Sequence, residues 1–408
     1  MAKYIFLPVP TDGRVNPTLA VAQELVKRGQ EVIYYLPEQY RDAVKTTGAV
    51  FHSYKSKVKD LLSTGRKPEG GLPKLMVDES RHVLPQILDR IRAEQADVIV
   101  YEPFCIWTRI VASSLKVPAI TLCPIYAANE HFNMSTIRAQ LPNWGPPTLL
   151  AFLPKANEDI AKICESYHVP PFDLFNNFLY TESLTIVFIP KAFQPAAQTF
   201  DERYVFVGPS IHPRHKASDF PLDKLGNEQP ILYISLGSLY NNQPEFFKMC
   251  FEAFRKQPWQ VVLSRGRHVD PAVLGPIPDN FLVSPYVPQL EILPRTQVFV
   301  THCGPSSTME SLYYGVPMVA IPQMIEHAII ARRITEMGVG ITLEKEAVNA
   351  TMLREAVERV ASEAAFHKHA QQMQQITREA GGYQHAADVI LQFTQEHAGV
   401  HSTQGLSQ

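Results

Sequence analysis

The chain has 408 residues, of which 45% are hydrophobic and 19% are charged, as is typical of a globular protein with two domains of ordinary size. A net charge of −2 argues against a nucleic acid or an anionic membrane as partner, because both need a basic surface. No apolar run reaches the roughly 18 residues of a membrane span, and the N-terminus predicts a first strand rather than a signal peptide. The five cysteines show no CxxC spacing and predict reduced thiols, a cytoplasmic protein and no metal site.

The first half of the chain alternates short apolar runs with amphipathic stretches. The apolar runs predict strands at residues 4–9, 31–36, 97–101, 119–123 and 185–189. The amphipathic stretches predict helices at residues 17–28, 39–46, 76–93 and 106–115. Strands that alternate with helices in this way indicate a parallel sheet with crossover helices.

The second half of the chain repeats the same plan. Strands are predicted at residues 230–235, 260–264, 281–285, 298–301 and 318–321. Helices are predicted near residues 244–255, 306–314, 326–337 and 351–361. The fold class that follows is α/β, with two doubly wound, Rossmann-like domains.

The domain boundaries follow from a stretch at residues 209–221 that is rich in proline and polar side chains and predicts an exposed linker. The predicted division is an N-terminal domain over residues 1–212, a linker over 213–228 and a C-terminal domain over 229–382. An amphipathic helix over residues 383–397 is expected to pack back on the first domain, before a disordered tail at 398–408. The two domains would face each other across a cleft, with ligands beyond the carboxyl ends of the strands.

Residues 301–310, with the sequence THCGPSSTME, follow the apolar strand and predict an anion site. Gly304 permits a tight turn, and the Ser/Thr cluster then begins a helix. A helix N-terminus exposes unpaired N–H groups and partial positive charge, which suits a diphosphate. His302 would add an N–H donor, and Glu310 would accept from ribose hydroxyls. An ordinary strand–turn–helix with a capping serine is the alternative.

Six motifs, in a fixed order along the chain, resemble those of a known family. They lie at residues 13–19 (GRVNPTL), 101–104 (YEPF), 235–238 (SLGS), 286–293 (YVPQLEIL), 302–310 and 322–327 (PQMIEH). Together they resemble the inverting, nucleotide-sugar-dependent glycosyltransferases of the GT-B fold, family 1 type. Within these, the likeness is to bacterial enzymes that glycosylate macrolides and other lipophilic natural products.

The resemblance implies a nucleotide-sugar site in the second domain, with a UDP-sugar or dTDP-sugar as donor substrate and no metal ion. Tyr286 would stack on the base, Gln289 would meet its edge, and Glu310 would bind the ribose. The diphosphate and sugar contacts implied in the same way fall on Ser238, His302, Gly304, Ser306, Ser307, Glu326 and His327. A lipophilic small molecule, such as a polyketide or macrolide, would be the acceptor. The enzyme would be a monomer or a homodimer.

The residues that would activate the acceptor depart from the family pattern at two positions, and the two changes are chemically complementary. Relatives carry a histidine base in the first βα turn, where this chain has Arg14, and an aspartate after the fourth strand, where it has Glu102. Arginine does not serve as a base, because its pKa stays above about 12. A guanidinium and a longer carboxylate would suit a bidentate ion pair. We interpret the change as replacement of the dyad by a structural or substrate-binding pair; drift is the alternative.

Further departures affect the sugar contacts and leave the identity of a base open. Ser306 and His327 stand where relatives usually have Asn and Gln, which indicates altered handling of the sugar. His131, in a loop after the fifth strand, is a candidate replacement base because a histidine titrates near neutral pH. An exposed loop histidine is the alternative. Asp12 lies in the same turn as Arg14 and is a second candidate.

An apolar wall for the acceptor is predicted from side chains near strand ends and from an apolar, mobile loop at residues 141–150. The wall residues are Phe104, Cys105, Ile106, Trp107, Pro124, Ile125, Tyr126, Phe132 and Met134; ordinary core is the alternative.

Three functions remain open at this point. The first is inverting sugar transfer from a UDP-sugar or dTDP-sugar to a hydroxyl, amine or acid of a lipophilic small molecule. An acceptor that is already ionised and is held by Arg14 is one version of it. The second is a repurposed enzyme that cyclises, eliminates or rearranges a natural-product intermediate. The third is a non-catalytic pseudo-glycosyltransferase.

Overall fold

The computed structural model describes residues 1–58, 71–141, 148–174, 182–212, 220–226, 229–237 and 241–403. The chain divides into two compact units. The first comprises Met1–Gln140, Gly145–Ile211 and Ala380–Gln408, and the second comprises Leu141–Trp144 and His212–Glu379. Each unit is built on one parallel sheet, so the predicted pair of Rossmann-like α/β domains is confirmed.

The first unit contains, within its described residues, seven parallel strands in the order β3-β2-β1-β4-β5-β6-β7. The strands are β1 (Lys3–Leu7), β2 (Glu31–Leu36), β3 (Val50–Ser53), β4 (Val98–Tyr101), β5 (Ala119–Cys123), β6 (Leu184–Val187) and β7 (Tyr204–Phe206). The helices are α1 (Asp12–Lys27), α2 (Arg41–Lys45), α3 (Gly71–Glu94), α4 (Ile106–Leu115), α5 (Met134–Gln140) and α6 (Thr148–Ser166).

The second unit contains, among the residues described, six parallel strands in the order β10-β9-β8-β11-β12-β13. The strands are β8 (Ile231–Ser235), β9 (Gln260–Ser264), β10 (Phe281–Ser284), β11 (Thr296–Thr301), β12 (Met318–Ala320) and β13 (Gly340–Thr342). The helices are α7 (Pro244–Phe254), α8 (Gln289–Ile292), α9 (Pro305–Tyr314), α10 (Ile325–Glu336), α11 (Ala350–Ser362) and α12 (Ala364–Glu379). The last helix of the chain, α13 (Gly382–Thr403), belongs to the first unit.

Burial on both faces of the first sheet explains why its strands are apolar almost without interruption. Tyr4 and Phe6 of β1 lie in one hydrophobic cluster, whereas Ile5 and Leu7 lie in the cluster on the opposite face. This alternation is the period of two that a strand imposes on its side chains. Helices cover both faces of such a sheet, so only the strand ends are left for binding a ligand.

The C-terminal helix α13 packs against α1 and closes one face of the first sheet. Ala386 and Ile390 of α13 are fully buried in the cluster that contains Tyr4. The Tyr4 hydroxyl donates to Thr394 Oγ1 at 2.9 Å. The helix continues to Thr403, so the disordered tail predicted from residue 398 is wrong up to that point. Each added helical residue gains one backbone hydrogen bond, and no proline interrupts this stretch.

The sequence analysis missed several short or polar elements. They are β3, β7 and β13, which have three or four residues each, and the helices α5, α6, α8 and α12. The three missed strands lie at sheet edges and have partly exposed side chains, so they lack the continuous apolar run that predicts a buried strand. The apolar loop expected at 141–150 is wrong from Thr148 onward, where α6 begins, and residues 142–147 lie outside the described residues. Most of the predicted linker lies outside them as well.

We predict that Ile390→Ala lowers the free energy of unfolding of the first unit by about 2–4 kcal/mol, because it leaves a cavity between α13 and α1. Gln395→Ala, at an exposed position of the same helix, should change it by less than about 0.5 kcal/mol. Guanidinium unfolding of the two variants measures both values. Equal, small effects would show that α13 does not contribute to this core.

Candidate active site

The first candidate site lies where the strand order of the first sheet reverses. β1 and β4 are neighbours, and the chain leaves them in opposite directions along the sheet. Arg14 lies in the first turn of α1, shortly after β1. Glu102 directly follows the last residue of β4. Such a reversal is where open α/β sheets bind ligands beyond the carboxyl ends of their strands.

The two residues form an ion pair. Arg14 Nη1 donates to Glu102 Oε1 at 2.7 Å. The Glu102 side chain is 3% exposed and that of Arg14 is 19% exposed. The guanidinium carbon also lies 4.9 Å from the centre of the Phe104 ring, within the range of a cation–π contact. A buried carboxylate needs such a partner, since removing one partner of a buried pair costs about 3–5 kcal/mol.

The ion pair determines which chemistry this position supports. A guanidinium stays protonated in proteins and has donors but no acceptor. A guanidinium at this position is therefore able to bind a negative charge and unable to remove a proton. Because Glu102 is almost fully buried while Arg14 is partly exposed, the cation is the member of the pair that a ligand can reach.

His131 is exposed on a loop, whereas the ion pair is largely buried. Asn129 Oδ1 accepts from the backbone N–H groups of His131 and Phe132, which braces the turn. The His131 side chain is 57% exposed, and its Nε2 lies 3.4 Å from Glu130 Oε1. These features describe a solvated loop histidine, the alternative reading of the sequence.

Part of the apolar wall predicted for the acceptor lies in the core, which was the alternative, and the rest stays a prediction. Cys105, Ile106 and Trp107 are fully buried in the hydrophobic core of the first unit, because they begin α4 on its inner face. Phe104 and Tyr126 are partly exposed. Phe104, which lies over the guanidinium, is therefore the wall residue with an aromatic face next to the cation.

The second candidate site lies at the corresponding reversal of the second sheet, between β8 and β11. His302 directly follows β11, and α9 begins three residues later at Pro305. Cys303 has a φ of 65°, a left-handed conformation that a non-glycine residue adopts at a cost of about 1–2 kcal/mol. A Cβ on Gly237 or Gly304 would lie 2.4 Å from His302 Nε2, so both glycines are needed for the ring to sit there.

His302 forms an edge-to-face pair with His327, a buried residue of the first turn of α10. The ring centroids are 4.7 Å apart and the ring planes are 89° to each other. Burial lowers the pKa of His302 to about 4, an effect partly offset by the backbone carbonyl of Ser235. Burial, and then the neighbouring His302, lowers the pKa of His327 to about 3. Both imidazoles are therefore neutral at pH 7.

Gln289 and Glu310 are joined in one hydrogen-bond network. Gln289 Nε2 donates to Glu310 Oε2 at 2.6 Å and to Ser307 Oγ at 3.3 Å. The Tyr233 hydroxyl donates to Gln289 Oε1 at 3.2 Å. Tyr233 itself stacks on Phe299, with centroids 4.7 Å apart. The network holds the buried Glu310 carboxylate at the same end of the sheet as His302.

The structure thus brings together two groups of the predicted site residues in the second unit. One group is Gln289, Ser307 and Glu310, and the other is His302, Gly304 and His327. Tyr286 lies just beyond β10, with its carbonyl accepting from Ser284 Oγ at 2.7 Å. Ser306 and Glu326 are partly exposed in the first turns of α9 and α10, and Ser238 lies outside the described residues.

Sequence reasoning missed two supporting residues, Tyr233 and Asn241. Asn241 Nδ2 donates to the carbonyl of Gly237 at 2.6 Å and so braces the turn beside His302. The sequence features that could have indicated them are a tyrosine within an aliphatic strand and a pair of asparagines after that strand. Among the described residues, no group of three or more His, Cys, Asp or Glu side chains is arranged to hold a metal ion. The described helices also include none that is long and apolar enough to span a membrane.

Comparison with known proteins gives one consistent result. Residues 261–381 match the model of the erythromycin biosynthesis protein CIII-like C-terminal domain. The chain is 36% identical to NDP-glycosyltransferase YjiC of Bacillus subtilis, over 98% of this chain and 99% of that protein. It is 33% identical to demethyllactenocin mycarosyltransferase of Streptomyces fradiae, over 96% of this chain and 86% of that protein. The structure of the calicheamicin glycosyltransferase CalG4 superposes with a TM-score of 0.83 at 31% identity, covering 98% of each chain.

The chain belongs to the family of natural-product glycosyltransferases with the GT-B fold that includes these proteins. Members of this family use nucleotide-sugar donors. The resemblance carried by the six sequence motifs is therefore confirmed, as is the expectation of a glycosyltransferase-like enzyme.

We predict that Gly304→Ala weakens binding of UDP by about tenfold or more, because the new methyl group displaces the His302 ring. Titration calorimetry measures the change. Gly13→Ala is the matched control, since a Cβ there meets nothing within 4 Å and the residue lies in the other unit. Unchanged UDP affinity in a folded Gly304→Ala variant would contradict the assignment of His302 to the nucleotide site.

Proposed function

We propose that the protein transfers a hexose from a UDP-sugar or dTDP-sugar to an acidic oxygen of a lipophilic natural product, with inversion at the anomeric carbon. The acidic oxygen is a phenol, an enol or a carboxyl group that is ionised before it reacts. The observation that supports the proposal is the Arg14–Glu102 ion pair, which puts a cation where the family resemblance implies a base.

The proposed step needs no proton acceptor on the protein. The acceptor oxyanion attacks C1 of the sugar, and a new C–O bond forms. The bond between C1 and the diphosphate oxygen breaks, and its electron pair leaves with the nucleoside diphosphate. Because the acceptor arrives without its proton, no proton has to be moved. Arg14 orients the oxyanion, and the nearby Phe104 ring supplies an apolar face for an aromatic acceptor.

The donor side of the proposal rests on the second unit. The N-termini of α9 and α10 would direct backbone N–H groups at the diphosphate, whose charge grows as the bond to C1 breaks. His302 and the Ser306–Ser307 turn would add side-chain donors. Fixed donors of this kind stabilise a developing charge without a metal ion. The Gln289–Glu310 pair would meet the nucleoside.

We predict that the enzyme glycosylates 4-nitrophenol, which is largely ionised at pH 7.5, at least about a hundredfold faster than 4-nitrobenzyl alcohol. An acceptor that must lose its proton during the reaction is expected to react about a hundredfold or more slowly when the enzyme has no general base. Product formation from UDP-glucose and dTDP-glucose, measured by mass spectrometry, gives both rates. Comparable rates for the phenol and the alcohol would contradict the proposal.

Two variants serve as controls for this comparison. Arg14→Met combined with Glu102→Gln should reduce kcat/KM for the phenol by about tenfold or more, because the oxyanion loses its partner while no buried carboxylate is left without one. Arg14→His combined with Glu102→Asp supplies a base and should raise the rate for the alcohol. If neither donor binds, the protein is not a sugar transferase. If both bind and no acceptor reacts, a non-glycosyl reaction or a pseudo-glycosyltransferase is favoured.

A further inference from the structure

Two buried histidines face each other at the start of two helices in the second unit. His302 precedes α9 by three residues, and His327 lies in the first turn of α10. Their rings meet edge to face at 4.7 Å between centroids. Both side chains are less than a tenth exposed. Burial and the partial positive charge of two helix N-termini both disfavour a protonated imidazole, so the two rings are neutral in the protein alone.

A backbone contact fixes the tautomer of one member of the pair. The backbone N–H of Gln323 donates to His327 Nδ1 at 3.4 Å, so Nδ1 acts as an acceptor and the ring proton is on Nε2. Protonating His327 would break this contact. His302 instead has the backbone carbonyl of Ser235 nearby, which favours its charged form. His302 is therefore the better place for an added proton.

We propose that His302 and His327 act as one proton-binding unit, which takes up a single proton from solvent when the diphosphate of a nucleotide sugar binds. The proposal rests on the donor site described under the proposed function. The diphosphate linkage carries two negative charges, and in a buried site these attract a proton strongly. Only one proton is taken up, because two imidazolium rings at this separation would repel each other.

The proton assists the departure of the diphosphate. In the free site both rings are neutral, and His327 packs on His302 and shields it from water. With the donor bound, His302 carries a positive charge next to the phosphate oxygens whose negative charge grows as the bond to C1 breaks. His327 is a positioning residue in this scheme, since it acts through His302.

The neighbouring carboxylates do not account for a proton on the histidine pair, so the proton uptake is attributed to the bound diphosphate. Glu310, on α9, is engaged by Gln289 at 2.6 Å. Glu326 precedes His327 on α10 and is partly exposed. The effects that shift the pKa of the two rings are burial, the Ser235 carbonyl and the rings themselves. The carboxylates therefore do not hold the pair protonated in the free protein.

Proton uptake gives binding a characteristic pH dependence. The pKa of free His302 is about 4, and a bound anion raises it. Affinity therefore rises as pH falls from 8 toward 5, by at most about tenfold per pH unit for one proton. UDP-glucose is the suitable probe, because its diphosphate is esterified at both ends and does not itself titrate in this range.

The test is titration calorimetry of the full chain with UDP-glucose and dTDP-glucose at pH 5.5, in two buffers that differ in ionisation enthalpy. The difference in binding enthalpy gives the number of protons taken up. We expect about half a proton or more at pH 5.5 and close to none at pH 8. Binding with no proton uptake across this range overturns the inference and leaves the donor site intact. Absence of binding by both sugars overturns the donor site itself.

Substitution of each histidine in turn distinguishes the contributions of the two rings to proton uptake. His302→Asn should abolish proton uptake at donor concentrations that still give binding. His327→Asn keeps an acceptor for the Gln323 N–H but exposes His302 to water, so proton uptake should decrease at pH 5.5 and shift to higher pH. His369→Gln is the matched control, because His369 contacts the carbonyl of Gly338 beyond the other end of α10. Proton uptake in His302→Asn equal to that of the wild type would overturn the inference. If the variants do not fold, the two-buffer comparison on the wild type still decides.

Discussion

The ion pair between Arg14 and Glu102 is the constraint on which the proposed chemistry of this protein depends. It occupies the reversal point of the first sheet, where the topology concentrates ligand-binding residues. The Glu102 carboxylate is buried, so it requires a cation, and the cation in turn excludes a neutral base from the same position. Arg14 and Glu102 thus depend on each other electrostatically. Each alone would leave a buried charge without its partner.

In the proposed function, the second unit holds the negative charge of the diphosphate. Its site combines two helix N-termini with two neutral imidazoles and a carboxylate bound by an amide. The glycines on either side of His302 and the left-handed Cys303 show that this ring is placed by backbone geometry rather than by flexible packing. Such preorganisation stabilises developing charge because the donors need not move during the reaction. A transferase that lacks a base on the acceptor side depends more on this assistance to the leaving group.

Much of this arrangement could be predicted from the sequence, and the exceptions have physical reasons. Long apolar runs such as β2 and amphipathic helices such as α4 have clear periods, and both were predicted with the bounds that the structure shows. The strands β3, β7 and β13 were missed because they lie at sheet edges with partly exposed side chains and so lack the continuous apolar run of a strand buried on both faces. Arg14 and Glu102 were identified as a matched pair because their charges are complementary. The contact between His302 and His327 was not predicted, since it joins the loop after β11 to the first turn of α10 and depends on the close approach of two glycines to His302.

The pH dependence of kcat/KM for two phenols of different acidity tests the central claim most directly. If the acceptor must arrive ionised and Arg14 only holds it, the acidic limb of each profile follows the pKa of that phenol. The two limbs then separate by the difference between the two phenol pKa values. If a side chain of the protein removes the proton, both profiles fall at the same pH, whichever phenol is used. Coinciding limbs would contradict the assignment of a cation to the position of the base.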